Sequence, residues 1–297
     1  MATRSIPLSA PLDLPLTMRA LGTPALERVP VTATEAWRAT STPDGPATLH
    51  LRLGSGSVDA EAWGPGAGWV LECVPDLIGV DDDLDTFDPS PGVVRDLHRR
   101  ASGLRLGRTG RVFEAAMPTV LAQLVTGVES KRSHRRIVAA YGEPAPGPGD
   151  LRVPPTPQVI AQLDYSELHR SGVERKRASI LIEVARRAKR LEEVVDLPRD
   201  EAYRRLQAVR GVGPWTAAYV MGIAWGDLDA VPVGDYNLPN LVSWALAGEA
   251  RGDDDRMLEL LEPYRGHRRR VLVLLKGSPI KEPRYGPRVA LRDIESS

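Results

Sequence analysis

Cysteine is almost absent from this sequence of 297 residues, which contains only Cys73 and five scattered histidines. A single cysteine excludes an intramolecular disulfide, and without a Cys or Cys/His cluster the usual spacings of zinc and iron–sulfur sites are missing too. The sequence also lacks a run of about 18 apolar residues, the length that a membrane-spanning helix needs. Its first residues, MATRSIPLSAPLDLPL, do not follow the order of a secretory signal. We therefore expect a soluble intracellular protein without a metal cluster.

An excess of charge of either sign is absent as well, because 39 basic side chains balance 39 acidic ones. The balance is uneven along the chain: residues 1–100 carry 8 basic and 14 acidic side chains, which leaves 31 basic and 25 acidic ones in the other 197. A surface that binds a polyanion is therefore expected in the second part. Ordinary scatter of charge explains the same counts equally well.

The hydrophobic content, 42%, is enough for a large core. Residues 28–73 show partial period-two alternation broken by Gly- and Pro-rich turns, which predicts an antiparallel sheet. The predicted strand segments are RVPVTATEAWRAT, ATLHLRL, SVDAEAW and GWVLECV. The acidic run at residues 81–85 is expected to form a solvated loop without chemistry.

From residue 92 onward the apolar residues recur with helical period, which predicts an almost entirely α-helical second part. The helical segments include VVRDLHRRASGL, VFEAAMPTVLAQLVTGVESKRSHRRIVAAYG, RKRASILIEVARRAKRLEEV and DYNLPNLVSWALAG. Residues 143–157, EPAPGPGDLRVPPTP, contain too much Pro and Gly for a core element, so we expect a long connection between helices there.

Residues 200–225, DEAYRRLQAVRGVGPWTAAYVMGIAW, contain a helix, a four-residue hairpin and a second helix opened by Pro214. Gly211 and Gly213 can adopt positive φ and carry no side chain, so backbone N–H groups in the hairpin can approach an anion closely. The free N–H groups and the positive end of the helix dipole favour a phosphate oxygen. A tight turn without a ligand is the simpler explanation of this tetrapeptide alone.

An irregular stretch, residues 226–234, follows the second helix and ends at Asp235, directly ahead of another amphipathic segment. An aspartate in this position is a common helix N-cap and needs no catalytic role. The hairpin and the aspartate together, however, resemble the helix–hairpin–helix DNA glycosylases. GVGPWTAAYV and VPVGDYNLP follow the pattern of the bacterial 3-methyladenine DNA glycosylase II branch, and the resemblance covers roughly residues 92–276.

The resemblance implies a mainly α fold in which a small α+β lobe with an antiparallel sheet, residues 1–91, precedes a helical glycosylase region, residues 92–297. It also implies a monofunctional base-excision-repair enzyme that binds double-stranded DNA as a monomer in the cytoplasm, without an iron–sulfur cluster. Such an enzyme flips out an alkylated purine of the 3-methyladenine type and hydrolyses its N-glycosidic bond.

By the same resemblance, Asp235 is the catalytic carboxylate, whose charge stabilises the oxocarbenium character of the deoxyribose. Trp215 stands where bifunctional members of the superfamily have a lysine nucleophile, and no lysine occurs in residues 190–275, so β-lyase activity should be absent. Trp215 and Tyr219, four residues apart on one helical face, are expected to stack an electron-poor base. Two core aromatics would show the same spacing.

The resemblance also assigns residues to DNA and to an ion. Leu124 corresponds to an apolar wedge that fills the gap left by the extruded nucleotide, although a buried helix leucine fits the segment VLAQLVT as well. The predicted contacts with the DNA backbone are Gly211, Val212, Gly213, Pro214 and Thr216. The backbone carbonyls that match a site for Na⁺ or K⁺ are those of Gln207, Val209 and Val212.

The chain departs from the family pattern in the wedge helix, which lacks a second glutamine, and near Tyr264, Gly266 and His267, where tryptophans are expected. Two alternatives stay open. One is a non-catalytic paralogue that binds damaged DNA, against which the presence of Asp235 argues; the other is a glycosylase for an oxidised or deaminated base. An unrelated enzyme is disfavoured because the sequence has no Walker loop, HExxH motif or convincing GxSxG motif.

Overall fold

The computed structural model describes residues 1–22, 31–89 and 91–283. The strands in these ranges are β1 (Ala2–Pro7), β2 (Glu35–Thr42), β3 (Gly45–Leu53), β4 (Ser57–Trp63), β5 (Glu143–Pro144) and β6 (Arg152–Val153). The α-helices are α1 (Leu14–Ala20), α2 (Ala67–Glu72), α3 (Val74–Leu77), α4 (Val93–Arg100), α5 (Val112–Leu121), α6 (Gly127–Tyr141), α7 (Pro157–Gln162), α8 (Tyr165–His169), α9 (Arg175–Arg186), α10 (Ala188–Glu192), α11 (Arg199–Gln207), α12 (Pro214–Val220), α13 (Leu238–Ala247), α14 (Asp254–Leu261) and α15 (Arg268–Gly277). Of the helices so described, none is both long enough and apolar enough to span a membrane.

The predicted antiparallel sheet is present, with the strand order β1-β4-β3-β2. Strands β2, β3 and β4 match the first three predicted segments. The strand β1 was not predicted, because Ile6 is its only buried residue and the alternation is therefore weak. Residues 28–30 of the first predicted strand, and residues 284–297 of the predicted helical region, lie outside the described residues.

The fourth predicted strand, GWVLECV, is wrong: this segment forms α2 and the start of α3. Its buried apolar residues Val70, Leu71 and Val74, together with Ala67 just before the segment, have the spacing of one helical face. A short apolar run does not distinguish this face from a strand. The helix packs against the sheet in the apolar cluster that also contains Leu14 of α1.

The helical region has two further apolar clusters. The first is centred on α5 and includes residues of α9 and α12, whereas the second joins α4, α13, α14 and α15. A π-helical turn, Met221–Trp225, extends α12. Because α12 belongs to the first cluster and α13 to the second, the stretch between them, residues 226–237, passes from one half of the helical region to the other.

Buried ion pairs join the sheet side of the molecule to the helices. Arg38 of β2 pairs with Glu114 of α5. Arg270 of α15 pairs with Asp82, and the side chains of both are fully buried. The expectation of a solvated loop at residues 81–85 is therefore wrong for Asp82, whose side chain is buried in an ion pair. Its partner lies 188 residues away, so no local sequence pattern predicts the pair.

The Pro- and Gly-rich residues 143–157 connect α6 to α7, as predicted. Within the connection, β5 and β6 pair as a short antiparallel ribbon. The N–H of Ala145 also donates to the carbonyl of Leu151 (3.0 Å). The ribbon gives the backbone of this connection hydrogen-bond partners that its composition did not indicate.

Candidate active site

The predicted hairpin lies between α11 and α12, and Pro214 is the first residue of α12. At Gly211 the backbone has φ +91°, and a Cβ atom there would lie 2.4 Å from the side chain of Ile180, so only glycine fits. Gly213 differs from the expectation, because its φ is −88°. Within the described part of the chain nothing lies within 4 Å of a Cβ atom added to Gly213. The fold itself therefore does not demand glycine at this second position.

Two of the predicted DNA contacts, Val212 and Thr216, are buried, with 6% and 2% of their surface exposed. The hydroxyl of Thr216 accepts a hydrogen bond from the amide of Gln123 (2.8 Å), which also donates to the carbonyl of Gly211 (3.0 Å). The N–H of Val212 donates to the carbonyl of Val209 (2.9 Å). Neither side chain is available to DNA, so a contact at these positions has to use the backbone.

The loop between α5 and α6 presents Leu124 at the surface. This side chain is 92% exposed, and its φ of +56° is the only positive value of a non-glycine among the described residues. A buried helix leucine is thus excluded. The loop is held at both ends, because buried Arg177 donates to the carbonyl of Leu121 (2.8 Å) and Thr126 caps α6. The leucine side chain therefore reaches solvent from a backbone conformation that residues other than glycine rarely adopt.

Asp235 lies half-buried between α12 and α13, and both of its carboxylate oxygens are engaged. Oδ1 accepts the backbone N–H groups of Asn237 (2.9 Å) and Leu238 (3.0 Å). Oδ2 accepts the indole N–H of Trp215 (2.8 Å) and the hydroxyl of Tyr219 (3.4 Å). Helix α13 begins at Leu238, so its N-cap residue is Asn237, but the carboxylate still caps the first turn. Two side chains of α12 and two backbone N–H groups at the start of α13 therefore fix the carboxylate in one orientation.

Trp215 and Tyr219 lie on one face of α12, as their spacing predicts. Their ring centroids are 4.8 Å apart, and the rings meet edge to face. Both polar groups point to the same carboxylate oxygen, and neither residue belongs to the fully buried cluster around α5. Burial raises the pKa of Tyr219, an effect that Lys276 opposes and the Asp235 carboxylate reinforces. The phenol therefore stays protonated and able to donate at neutral pH.

Lys276, near the C-terminal end of α15, reaches the same group of side chains. Its Nζ atom donates to the hydroxyl of Tyr219 (3.1 Å) and lies 5.0 Å from the centroid of the Tyr219 ring. No sequence motif assigns this lysine, which stands one position beyond the lysine-free range 190–275. Because 57 residues separate Lys276 from Tyr219, only the packing of α15 reveals the contact.

A buried carboxylate holds the turn that follows α12. Asp227 accepts hydrogen bonds from the guanidinium of Arg199 (3.0 Å), the hydroxyl of Tyr203 (2.7 Å) and the N–H of Asp229 (2.9 Å). Asp229 in turn accepts from Nε of Arg268 (2.8 Å), at the start of α15. Helix α11, the turn after α12 and helix α15 are therefore linked by charged hydrogen bonds.

Comparison with known proteins shows that the fold of this chain is similar to that of DNA glycosylases. No protein-family model matches the chain. Over 225 residues it is 28% identical to DNA-3-methyladenine glycosylase 2 of Escherichia coli K12, with 74% of each chain covered. A 3-methyladenine DNA glycosylase from Archaeoglobus fulgidus has a similar structure, with a TM-score of 0.76 over 92% of this chain and 97% of that one, at 21% identity.

A second similar structure is the 8-oxoguanine glycosylase/lyase of Clostridium acetobutylicum, solved in complex with double-stranded DNA. Its TM-score is 0.64, at 15% identity, over 81% of this chain and 86% of that one. At these identities the structural likeness concerns the fold. The predicted fold, a helix–hairpin–helix region preceded by a small lobe with an antiparallel sheet, is confirmed.

Proposed function

We propose that this chain, a member of the helix–hairpin–helix superfamily of DNA glycosylases, has a monofunctional base-excision-repair activity. The proposed substrate is double-stranded DNA that contains an alkylated purine of the 3-methyladenine type, the class named in the Escherichia coli relative. The observation that carries the proposal is the carboxylate of Asp235, held by four donors beside two aromatic side chains.

A fixed negative charge near the sugar favours cleavage of the N-glycosidic bond. When the N-glycosidic bond breaks, its electron pair leaves with the base and positive charge develops on C1′ and the ring oxygen of the deoxyribose. A carboxylate that four donors already hold stabilises this charge without reorganising. Asp235 is also the group that would accept a proton from the attacking water. An N-alkylated purine that carries a positive charge leaves as a neutral molecule, so no second carboxylate is needed as an acid.

The extruded base would stack on the aromatic surface of α12, where Trp215 and Tyr219 lie beside the carboxylate. Stacking of a base on an aromatic side chain contributes about 1–3 kcal/mol. The wedge, Leu124, projects from a loop that Gln123 ties directly to the hairpin. Wedge and phosphate-binding hairpin therefore form one connected unit, which suits a protein that must hold the duplex while it displaces one nucleotide.

The carbonyls of Gln207, Val209 and Val212 are the proposed ligands of a Na⁺ or K⁺ ion. Gln207 is the last residue of α11, and the last carbonyls of a helix have no intrahelical donor. The Val209 carbonyl accepts one N–H and keeps a second lone pair. Neutral carbonyl oxygens suit a hard monovalent cation, and the ion would supply positive charge next to a DNA phosphate.

We further propose that the protein acts as a monomer in the cytoplasm, with residues 1–91 as the N-terminal lobe and residues 92–297 as the glycosylase region. The sheet cluster draws its buried apolar residues from the part of the chain between Ile6 and Ile78, which supports this division. From Phe87 onward, the large clusters belong to the helices.

Incubation of the purified protein with methylated duplex DNA, without divalent metal, tests the activity. We expect release of free 3-methyladenine and 7-methylguanine. Borohydride added during the reaction should trap no covalent adduct, because Trp215 replaces the nucleophilic lysine. A trapped adduct would contradict the monofunctional mechanism. Binding of the duplex without release of either base would favour a non-catalytic binder or a glycosylase for another lesion.

A further inference from the structure

The proposed base pocket, which is the aromatic surface of Trp215 and Tyr219 beside Asp235, already contains a positively charged side chain. The ammonium of Lys276 lies over the ring of Tyr219, 5.0 Å from its centroid, and donates to its hydroxyl at 3.1 Å. The same ring meets Trp215 edge to face. A unit positive charge of the protein itself therefore already lies beside the aromatic surface proposed for the base.

A positively charged base would enter this pocket against the charge of Lys276. Asp235 contributes a negative charge to the same site, but that charge is the same in the parent and in variants of Lys276, so a comparison of these proteins isolates the charge of the lysine. An uncharged purine meets no such repulsion. It leaves with the electron pair of the N-glycosidic bond and therefore becomes negatively charged, and a hydrogen bond from the ammonium to a ring nitrogen or carbonyl oxygen on its edge stabilises that charge.

We propose that Lys276 is a specificity-determining residue that shifts the range of this glycosylase from cationic towards uncharged damaged purines. The inference rests on the proposed glycosylase function and names the substrate class that the pocket favours within it. Coulomb repulsion between two nearby unit charges at a partly solvated site corresponds to roughly a tenfold change in relative rate.

Excision rates under single-turnover conditions test this role. Two duplexes of one sequence would carry either 7-methylguanine, a fixed cation, or hypoxanthine, an uncharged purine with a carbonyl acceptor. Lys276→Gln keeps an N–H donor for Tyr219 but loses the charge. In this variant, the excision rate of 7-methylguanine divided by that of hypoxanthine should rise about tenfold. Lys276→Arg, which keeps the charge, should retain the ratio of the parent protein.

Lys281→Gln provides the matched control, because it removes one positive charge from another exposed lysine of the same C-terminal segment. This variant should keep the ratio of the parent. Raising the salt concentration should increase the ratio in the parent and leave it unchanged in Lys276→Gln, since Lys276 is partly solvated and its charge is screened.

The outcomes separate the two proposals. Release of both bases with an equal ratio in the parent and Lys276→Gln would overturn the role of Lys276 and leave the glycosylase function intact. An arginine variant that behaves like the glutamine variant would also overturn it, because charge would not be the cause. A borohydride-trapped adduct that disappears in Lys276→Gln would make the amine a nucleophile instead. No release of either base would overturn the proposed function, and this inference with it.

Discussion

The indole N–H of Trp215 donates to the carboxylate of Asp235 over 2.8 Å, although twenty residues separate the two in the chain. The bond joins α12, which packs in one apolar half of the helical region, to the stretch that leads into α13 in the other half. Trp215 therefore has two separable properties in the proposed site: a hydrogen-bond donor to the carboxylate and an aromatic surface for the base.

Trp215→Phe separates these properties, because phenylalanine keeps an aromatic surface and has no donor. A hydrogen bond to a charged group contributes about 1.5–3 kcal/mol, so we expect excision of methylated purines to slow by roughly tenfold or more. Affinity for abasic-site DNA should stay close to that of the parent. An unchanged excision rate in Trp215→Phe would show that the indole N–H does not position the carboxylate.

The two hairpin glycines should respond differently to alanine. Gly211→Ala forces a side chain into φ +91° and against Ile180, so its free energy of unfolding should fall by about 1–3 kcal/mol. Gly213→Ala meets no atom of the described chain and has an ordinary φ, so its stability should change by less than about 0.5 kcal/mol.

Affinity for duplex DNA completes the comparison of the glycines. If the hairpin backbone approaches a phosphate closely, the added methyl group of Gly213→Ala should weaken binding severalfold despite normal stability. Urea unfolding and fluorescence anisotropy measure the two quantities. Parent-like DNA affinity in Gly213→Ala would mean that no phosphate lies against this residue.

Leu124→Ala should leave the stability of the fold nearly unchanged, because the leucine is 92% exposed and buries almost no surface. Unstacking a base costs a few kcal/mol, so loss of the wedge should slow excision from paired duplex by about tenfold. Excision from single-stranded DNA should not change. Val128→Ala, which shortens another exposed apolar residue near the loop, is the control. Equal slowing by Leu124→Ala on both substrates would contradict a wedge role.

The pair formed by Asp82 and Arg270 predicts a large effect on stability. Asp82→Asn leaves the buried guanidinium without its counter-charge and should lower the free energy of unfolding by about 3–5 kcal/mol. The double variant Asp82→Asn/Arg270→Met should recover most of that loss, because it removes the unpaired charge. Urea denaturation measures both values. A loss below about 1 kcal/mol in Asp82→Asn would show that water solvates the arginine.

The sequence patterns predicted those features of the structure that depend on residues close together in the chain. The period of the apolar residues located the helices, and the glycines with Pro214 located the hairpin and hence Asp235. The same kind of reasoning assigned α2 to a strand, because the spacing of Val70 and Leu71 is compatible with both structures in so short a run.

Contacts between distant segments could not be predicted in this way. The amide of Gln123 reaches Thr216 across 93 residues, and Lys276 reaches Tyr219 across 57. Such pairs depend on how the helices pack and not on the period of any one helix. Asp82 looked like part of a solvated acidic run for the same reason, since its partner enters the core from the last described helix.

Asp235→Asn is the measurement that tests the central claim most directly. The amide keeps the size of the side chain but removes the charge proposed to stabilise the sugar in the transition state. Release of 3-methyladenine and 7-methylguanine from methylated duplex DNA should fall by about 100-fold or more. Binding of abasic-site DNA should match that of the parent. Parent-like binding together with an unchanged rate of release would contradict the assignment of Asp235 as the catalytic carboxylate.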